Sequence, residues 1–274
     1  MTADSTAPRE ALAVADIPVV ILCGGMGTRL REVTESVPKP LVDIGEKPIL
    51  WHIMKLYHHY GFRRFVLCLG YKSWEIKEYF LRYREHRSDF TIRLRGEHEL
   101  EYHNQLGDED WEITCAETGL LTGTGGRLYR VQHYIDTPTF MFTYGDGIGN
   151  VAIDNLLDFH RSQGLIGTVT GVRPTSRYGE LRASDNTVLE FAEKPKTSEG
   201  LASGGFFVLQ REFLSYLTDE PELLFEQAPM QKLARDGQLG VFVHEGFWMG
   251  MDTYREYSTL NTLWDRGEAP WKVW

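Results

Sequence analysis

Apolar residues fall along this chain in two textures, and the alternation between them locates the elements. Residues 18–23 read Pro-Val-Val-Ile-Leu-Cys, a continuous apolar run of strand length. A run without polar interruptions predicts a strand covered on both faces, as in a parallel sheet. Residues 65–69 repeat that texture. Between the two, Ile49, Ile53, Leu56 and Tyr60 recur at helical spacing, with Pro48 near the first turn and Gly61 as a stop. Residues 74–80 predict a second helix. Strand, helix, strand, helix is the order that crossover connections in a parallel sheet require.

Farther along, residues 89–94 and 111–116 read as strands, and the charged segment 95–110 as a surface excursion. The glycine/threonine cluster of residues 117–127 leads into a helix through about Tyr134. Residues 139–143 predict a strand, 153–160 a helix and 167–172 a strand. From Arg173 the texture shortens. Residues 178–181, 188–191 and 204–209 predict brief strands, 212–217 and 223–235 helices, 240–244 a strand and 254–264 a closing helix. The expected fold is α/β, one main domain with a smaller lobe from about Arg173.

Composition narrows the function classes. No apolar run approaches the ~20 residues that span a bilayer, so no membrane partner is expected. The first 16 residues lack the basic end and apolar core of a secretory signal and read as a disordered extension. A formal net charge of −10 makes nucleic acid a poor partner, while leaving room for a local cationic pocket. Cys23, Cys68 and Cys115 are far apart with no CxxC or zinc spacing, which points to free thiols in a reducing cytoplasm.

Chemistry gathers where the first strand ends. It runs into Gly24-Gly25-Met26-Gly27-Thr28-Arg29, and Pro38-Lys39-Pro40 follows. Backbone N–H groups in a glycine turn, a planar guanidinium and an ammonium held between prolines suit a phosphate chain. No Gly-Lys-Ser/Thr closes the loop, so it is not a Walker A sequence. Leu30 stands where a dinucleotide fingerprint needs its third glycine. Asp146, in Tyr144-Gly145-Asp146-Gly147, ends an apolar strand and is either a Mg²⁺ ligand or an Asp-Gly turn. Asp252 precedes the last helix and is either its N-cap or a second metal ligand. Glu193-Lys194-Pro195 offers a carboxylate for sugar hydroxyls and an ammonium for a phosphate, with Gly179 and Gly204-Gly205 allowing close backbone approach. His52, His58 and His59 share a helix without a Glu at HExxH spacing, and read as core or surface residues. The C-terminal tryptophans read as packing or a subunit contact.

Taken in order, Gly-Gly-Met-Gly-Thr-Arg, Pro-Lys-Pro, Gly-Asp-Gly, Glu-Lys-Pro and Met251-Asp252-Thr253 resemble the sugar-1-phosphate nucleotidylyltransferases. Residues 47–55, Thr124-Gly125-Gly126-Arg127-Leu128 and Gly204-Gly205-Phe206-Phe207 are most similar to the branch that couples CTP to glucose 1-phosphate. The resemblance covers residues 17–274 and implies a single domain. Its nucleotide-binding core would be residues 17–172 and its sugar-binding and C-terminal part residues 173–274. It further implies a Rossmann-like, mostly parallel mixed sheet, Mg²⁺ as cofactor, CTP and a hexose 1-phosphate as partners, and a homo-oligomer. By the same resemblance, the catalytic residues are Arg29, Lys39 and Asp146. The nucleotide would meet Leu22, Gly24, Gly25, Met26, Gly27, Thr28, Arg29, Thr118, Thr124, Arg127 and Gly145. The sugar phosphate would meet Gly179, Glu193, Lys194, Ser203 and Gly204, and the metal Asp146 and Asp252. Ser203 replaces an Asn of close relatives, which places any difference in sugar choice there.

Overall fold

The computed structural model describes residues 12–27, 30, 34, 37–95, 99–103, 107, 109–173, 180–184, 187–192 and 200–274. Seven strands form the central sheet: β1 (Val19–Leu22), β2 (Arg64–Leu69), β3 (Glu112–Glu117), β4 (Thr139–Tyr144), β5 (Gly167–Val172), β6 (Ala202–Gln210) and β7 (Leu239–His244). Their spatial order is β3-β2-β1-β4-β6-β5-β7. β1 pairs parallel with both β2 and β4, β2 with β3, and β5 with β7. β6 alone runs antiparallel, between β4 and β5. The sheet is therefore mixed and mostly parallel, as expected.

β1 shows why its sequence is apolar throughout. Val19, Ile21 and Cys23 pack into one core cluster, and Val20 and Leu22 into the other. The first cluster takes in α1 (Ile49–His59), α2 (Ser73–Leu81), α4 (Ile153–Gln163) and α6 (Tyr254–Asp265). The second takes in α3 (Thr124–Arg130) and α5 (Ala228–Arg235). A strand at the centre of such a sandwich has no face left for water. His52 and His58 are buried in α1, and burial lowers the His52 pKa to about 4. His52 is thus a neutral core residue, surrounded by Trp51, Trp264, Trp271 and Trp274.

Some sequence expectations fail for identifiable reasons. The excursion 95–110 contains a strand, Glu99–Tyr102, which pairs antiparallel with Phe90–Arg93 in a hairpin of its own. Residues 90–93 therefore do not join the main sheet. The helix expected from residue 223 begins at Ala228, because Pro229 occupies its first turn and the Leu223 carbonyl accepts from Gly125 and Gly126. Residues 212–217 form a 3₁₀ segment, Arg211–Tyr216, in place of an α-helix. The change of texture at Arg173 corresponds to a two-stranded sheet, Glu180–Ser184 with Thr187–Ala192. After it the chain returns to the central sheet as β6, longer than the short strand expected. No helix among the described residues is long and apolar enough to cross a membrane.

Candidate active site

The strand order turns on β1, whose neighbours connect in opposite directions, and ligands of open α/β sheets bind outside the carboxyl ends of strands at such a point. A cleft of about 440 Å³ lies there. Leu22, Cys23, Gly24, Gly25 and Gly27 line it from the end of β1, and Tyr144, Gly145 and Asp146 from the end of β4. The two strand ends are joined by the Gly145 N–H donating to the Leu22 carbonyl at 3.0 Å. Lys39, Pro40, Asp252, Thr122, Gly123, Thr124, Arg127 and Leu224 complete the wall.

Asp146 and Asp252 are far apart in the chain, and a short ribbon brings them together. Residues Gly147–Gly149, directly after Asp146, pair antiparallel with Trp248–Gly250, and Gly147 stands opposite Gly250. The Met251 N–H then donates to the Asp146 carbonyl at 2.8 Å. The N-cap of α6 is Thr253, in a capping box with Glu256. Asp252 is therefore not the N-cap. Its backbone N–H donates to the Glu256 carboxylate, while its own carboxylate faces the cleft.

Lys39 meets both carboxylates. Its ammonium donates to Asp146 Oδ2 at 2.6 Å and to Asp252 Oδ1 at 2.7 Å. Pro38 and Pro40 flank it in a 3₁₀ turn, Lys39–Leu41, which limits the backbone entropy lost in placing it here. Burial works to lower the Lys39 pKa, but Asp146 and then Asp252 more than offset it, so the ammonium is held charged. Two carboxylates converging on one cation are hard oxygen donors of the kind that suits Mg²⁺, which commonly takes one or two carboxylates and completes its shell with waters and substrate phosphates. Among the described residues no group of three or more His, Cys, Asp or Glu side chains forms a closed metal cage. Two carboxylates are a donor set that fits a metal shared with a phosphate ligand.

Two residues expected at the base take another part. Thr118 is fully buried, donates to the Leu69 carbonyl at 2.5 Å and does not line the cleft. Arg127 borders the cleft, but its guanidinium is committed to the protein. Nη1 donates to the Leu69 and Gly119 carbonyls and to Thr118 Oγ1, at 2.7–3.0 Å. Nη2 donates to the Gly24 and Leu120 carbonyls at 3.0 and 3.2 Å. Arg127 thus ties together the end of β2 and the segments that follow β1 and β3. It also explains Gly24, where a Cβ would lie 2.1 Å from Arg127 Nη1. Arg127→Ala should leave several buried acceptors without donors and cost about 2–4 kcal/mol. Urea unfolding without nucleotide checks this, since a residue that only touched a ligand would leave the free protein's stability unchanged.

The opposite wall was not legible in the sequence. Residues 221–227 cross the glycine cluster. The Pro221 and Leu223 carbonyls accept the N–H groups of Gly123, Gly125 and Gly126. Glu226 accepts from Tyr144 Oη at 2.5 Å and from Thr124 Oγ1 at 2.7 Å, and Leu224 enters the cleft. Burial, with Glu226 second, raises the Tyr144 pKa, so its phenol stays a donor. A signal existed in Pro229, which marks where α5 can begin and so frees the preceding residues from helix.

The other expected positions divide. Met26 is 42% exposed and does not line the cleft. Ser203 and Gly204 lie outside the cleft lining, at the start of β6. Because β6 is antiparallel, that start sits at the same sheet edge as Tyr144, whose ring would be 2.6 Å from a Cβ on Gly205. Thr28, Arg29, Gly179, Glu193 and Lys194 lie outside the described residues.

Comparison with known proteins agrees with this architecture. The chain is 45% identical over 257 residues to the probable glucose-1-phosphate cytidylyltransferase of Bacillus subtilis (strain 168), covering 93% of this chain and 99% of that one. It is 46% identical over 256 residues to the glucose-1-phosphate cytidylyltransferase of Salmonella typhimurium, covering 93% and 98%. The crystal structure of HddC from Yersinia pseudotuberculosis with GMP-PN superposes with a TM-score of 0.65 at 22% identity, over 90% of this chain and 99% of that one, a likeness of fold. The Nucleotidyl transferase family model matches residues 18–263. With a cleft at the turn of the sheet and identity near one half along almost its whole length, the chain belongs to the nucleotidyl transferase family.

Proposed function

We propose that this protein transfers CMP from CTP to α-D-glucose 1-phosphate, releasing pyrophosphate and forming CDP-glucose, with Mg²⁺ as cofactor. The observation that carries the reading is the meeting of Lys39, Asp146 and Asp252 in the cleft beside the glycine turn, in a chain 45–46% identical to glucose-1-phosphate cytidylyltransferases. An oxygen of the sugar phosphate attacks the α-phosphorus, the bond to the bridging oxygen breaks, and pyrophosphate leaves with that electron pair. Transfer of this kind depends on positioning and charge neutralisation more than on a protein nucleophile.

In this reading the turn at residues 24–27 and Arg29 hold the triphosphate, while Lys39 offsets charge that builds on the leaving phosphates. Asp146 and Asp252 would hold Mg²⁺, which when bound neutralises phosphate charge and fixes its orientation. Glu193 and Gly179 meet the sugar, and Lys194 its phosphate. Leu224, Tyr144 and the residues 122–124 shape the side of the cleft that remains for the nucleoside.

A panel assay tests the proposal. Protein, Mg²⁺ and glucose 1-phosphate are incubated with CTP, TTP, UTP, ATP or GTP, and pyrophosphate release is followed. Release with CTP above all others is expected. Preference for TTP or UTP overturns the base, and preference for another hexose 1-phosphate in a parallel panel overturns the sugar. Tight CDP-glucose binding without turnover of any triphosphate would make the protein a nucleotide-sugar-binding module instead.

A further inference from the structure

The segment that carries Lys39 and the helix that follows Asp252 touch at a second place, behind the cleft. After the turn Lys39–Leu41, the chain forms a tight hairpin in which Asp43–Ile44 pair with Lys47–Pro48. Its turn residue Gly45 has φ +65°, and a Cβ there would lie 2.1 Å from Trp264 Nε1. Asn261, on α6, grips the hairpin through its side-chain amide. Its Oδ1 accepts the Gly45 N–H at 2.9 Å, and its Nδ2 donates to the Tyr257 carbonyl at 3.0 Å and the Asp43 carbonyl at 3.4 Å. Beneath the hairpin, His52 Nε2 lies 2.9 Å from the Ile44 carbonyl, and the His52 ring packs edge-on against Trp264 at 4.7 Å.

Two contacts therefore join the same two pieces of chain. At the cleft, Lys39 meets Asp252; behind it, Gly45 meets Asn261. Apolar packing of Leu260 and Trp264 already holds α6 against the core, but such packing is non-directional, and the Asn261 amide adds a directional bond that fixes the rotation and register of the helix against the hairpin. Asp252 has its N–H bonded to Glu256 in the first turn of α6, so it moves with the helix. The hairpin in turn is bound to Lys39 through the Val42 N–H, which donates to the Lys39 carbonyl at 3.1 Å. We infer that Asn261 is a positioning residue: by fixing α6 to the Gly45 turn, it sets the Asp252 carboxylate against Lys39 and Asp146 and so shapes the cation site. This rests on the reading of Asp146 and Asp252 as ligands of a divalent cation.

Mn²⁺ binding followed by electron paramagnetic resonance, on the full chain with CTP present, tests the inference without turnover. Asn261→Ala is expected to weaken Mn²⁺ binding about tenfold or more. The Mg²⁺ concentration for half-maximal pyrophosphate release should rise by a similar factor, while kcat at saturating Mg²⁺ stays near that of the wild type. Asn261→Asp keeps the acceptor for the Gly45 N–H and is expected to restore most of the affinity. If Asn261→Ala does not fold, Asn261→Gln carries the test, since its extra methylene displaces the turn. Mn²⁺ affinity in the folded variant within about twofold of wild type overturns the inference. Mn²⁺ affinity in the wild type no greater than that of CTP alone overturns the two-carboxylate reading and this inference with it. Binding that is normal in the wild type and unchanged in Asn261→Ala overturns this inference alone.

Discussion

Asp146→Asn is expected to lower turnover by on the order of 10²–10³-fold, the scale on which removing one electrostatic contact to a transition state is felt. The substitution keeps the shape of the side chain and removes its charge. The fold should survive it, because Asp146 lies at the rim of the cleft and not in either core cluster. Two measurements separate the roles. Circular dichroism and thermal unfolding should match the wild type closely, since a partly exposed ion pair contributes little to stability. Pyrophosphate release at increasing Mg²⁺ should show a raised metal requirement as well as a lower ceiling. An unchanged rate at saturating Mg²⁺ would remove Asp146 from the chemistry.

Lys39→Ala is expected to cut turnover by a comparable factor, and to act on metal binding in the opposite direction. In the free protein the Lys39 ammonium is bonded to both carboxylates, at 2.6 and 2.7 Å, where it competes with any divalent cation. Without it, Asp146 and Asp252 face each other with their charge unbalanced, and a metal ion becomes the natural counter-charge. Mg²⁺ or Mn²⁺ should therefore bind the variant more tightly than the wild type in the absence of nucleotide, while the reaction slows. Calorimetric titration of the free protein checks the first half, and single-turnover CTP consumption the second. A loss of thermal stability with normal turnover would make Lys39 a structural residue.

Much of this site could be read from the sequence because its parts follow local rules. The unbroken apolar run at residues 18–23 signals burial on both faces, and the sheet supplies that burial through two separate core clusters. Pro-Lys-Pro stiffens the backbone that carries Lys39, and Asp146 stands two residues beyond the end of its strand. What escaped the sequence depends on partners distant in the chain. Arg127 looks like a cationic ligand contact until its five acceptors are known, four of them main-chain carbonyls with no side-chain signature. Residues 223–227 have helical composition, but the Leu223 carbonyl is taken by Gly125 and Gly126 and the Phe225 N–H by Thr124 Oγ1. Asp252 and Thr253 are both good N-caps by residue type, and the Glu256 N–H, which donates to Thr253 Oγ1, decides between them. The strand at residues 99–102 hides in charge because a two-stranded hairpin outside the sheet has no core face to declare.

The antiparallel course of β6 decides how the chain between β5 and β6 is attached to the sheet. β5 leaves the sheet at Val172 and β6 re-enters at Ala202, and the two residues stand opposite each other. Residues 173–201 are thus an insertion whose two ends are already stapled side by side, at the edge where Asp146 lies. Loop closure costs little more as such an insertion lengthens, and its ends impose no register on the strands that carry the nucleotide side of the cleft. The cleft lining at the ends of β1 and β4 comes instead from strands in the interior of the sheet. Under the proposed reading, in which Gly179, Glu193 and Lys194 meet the sugar phosphate, that part of the acceptor side hangs from two adjoining points of the sheet, and a change of its length would re-register no strand.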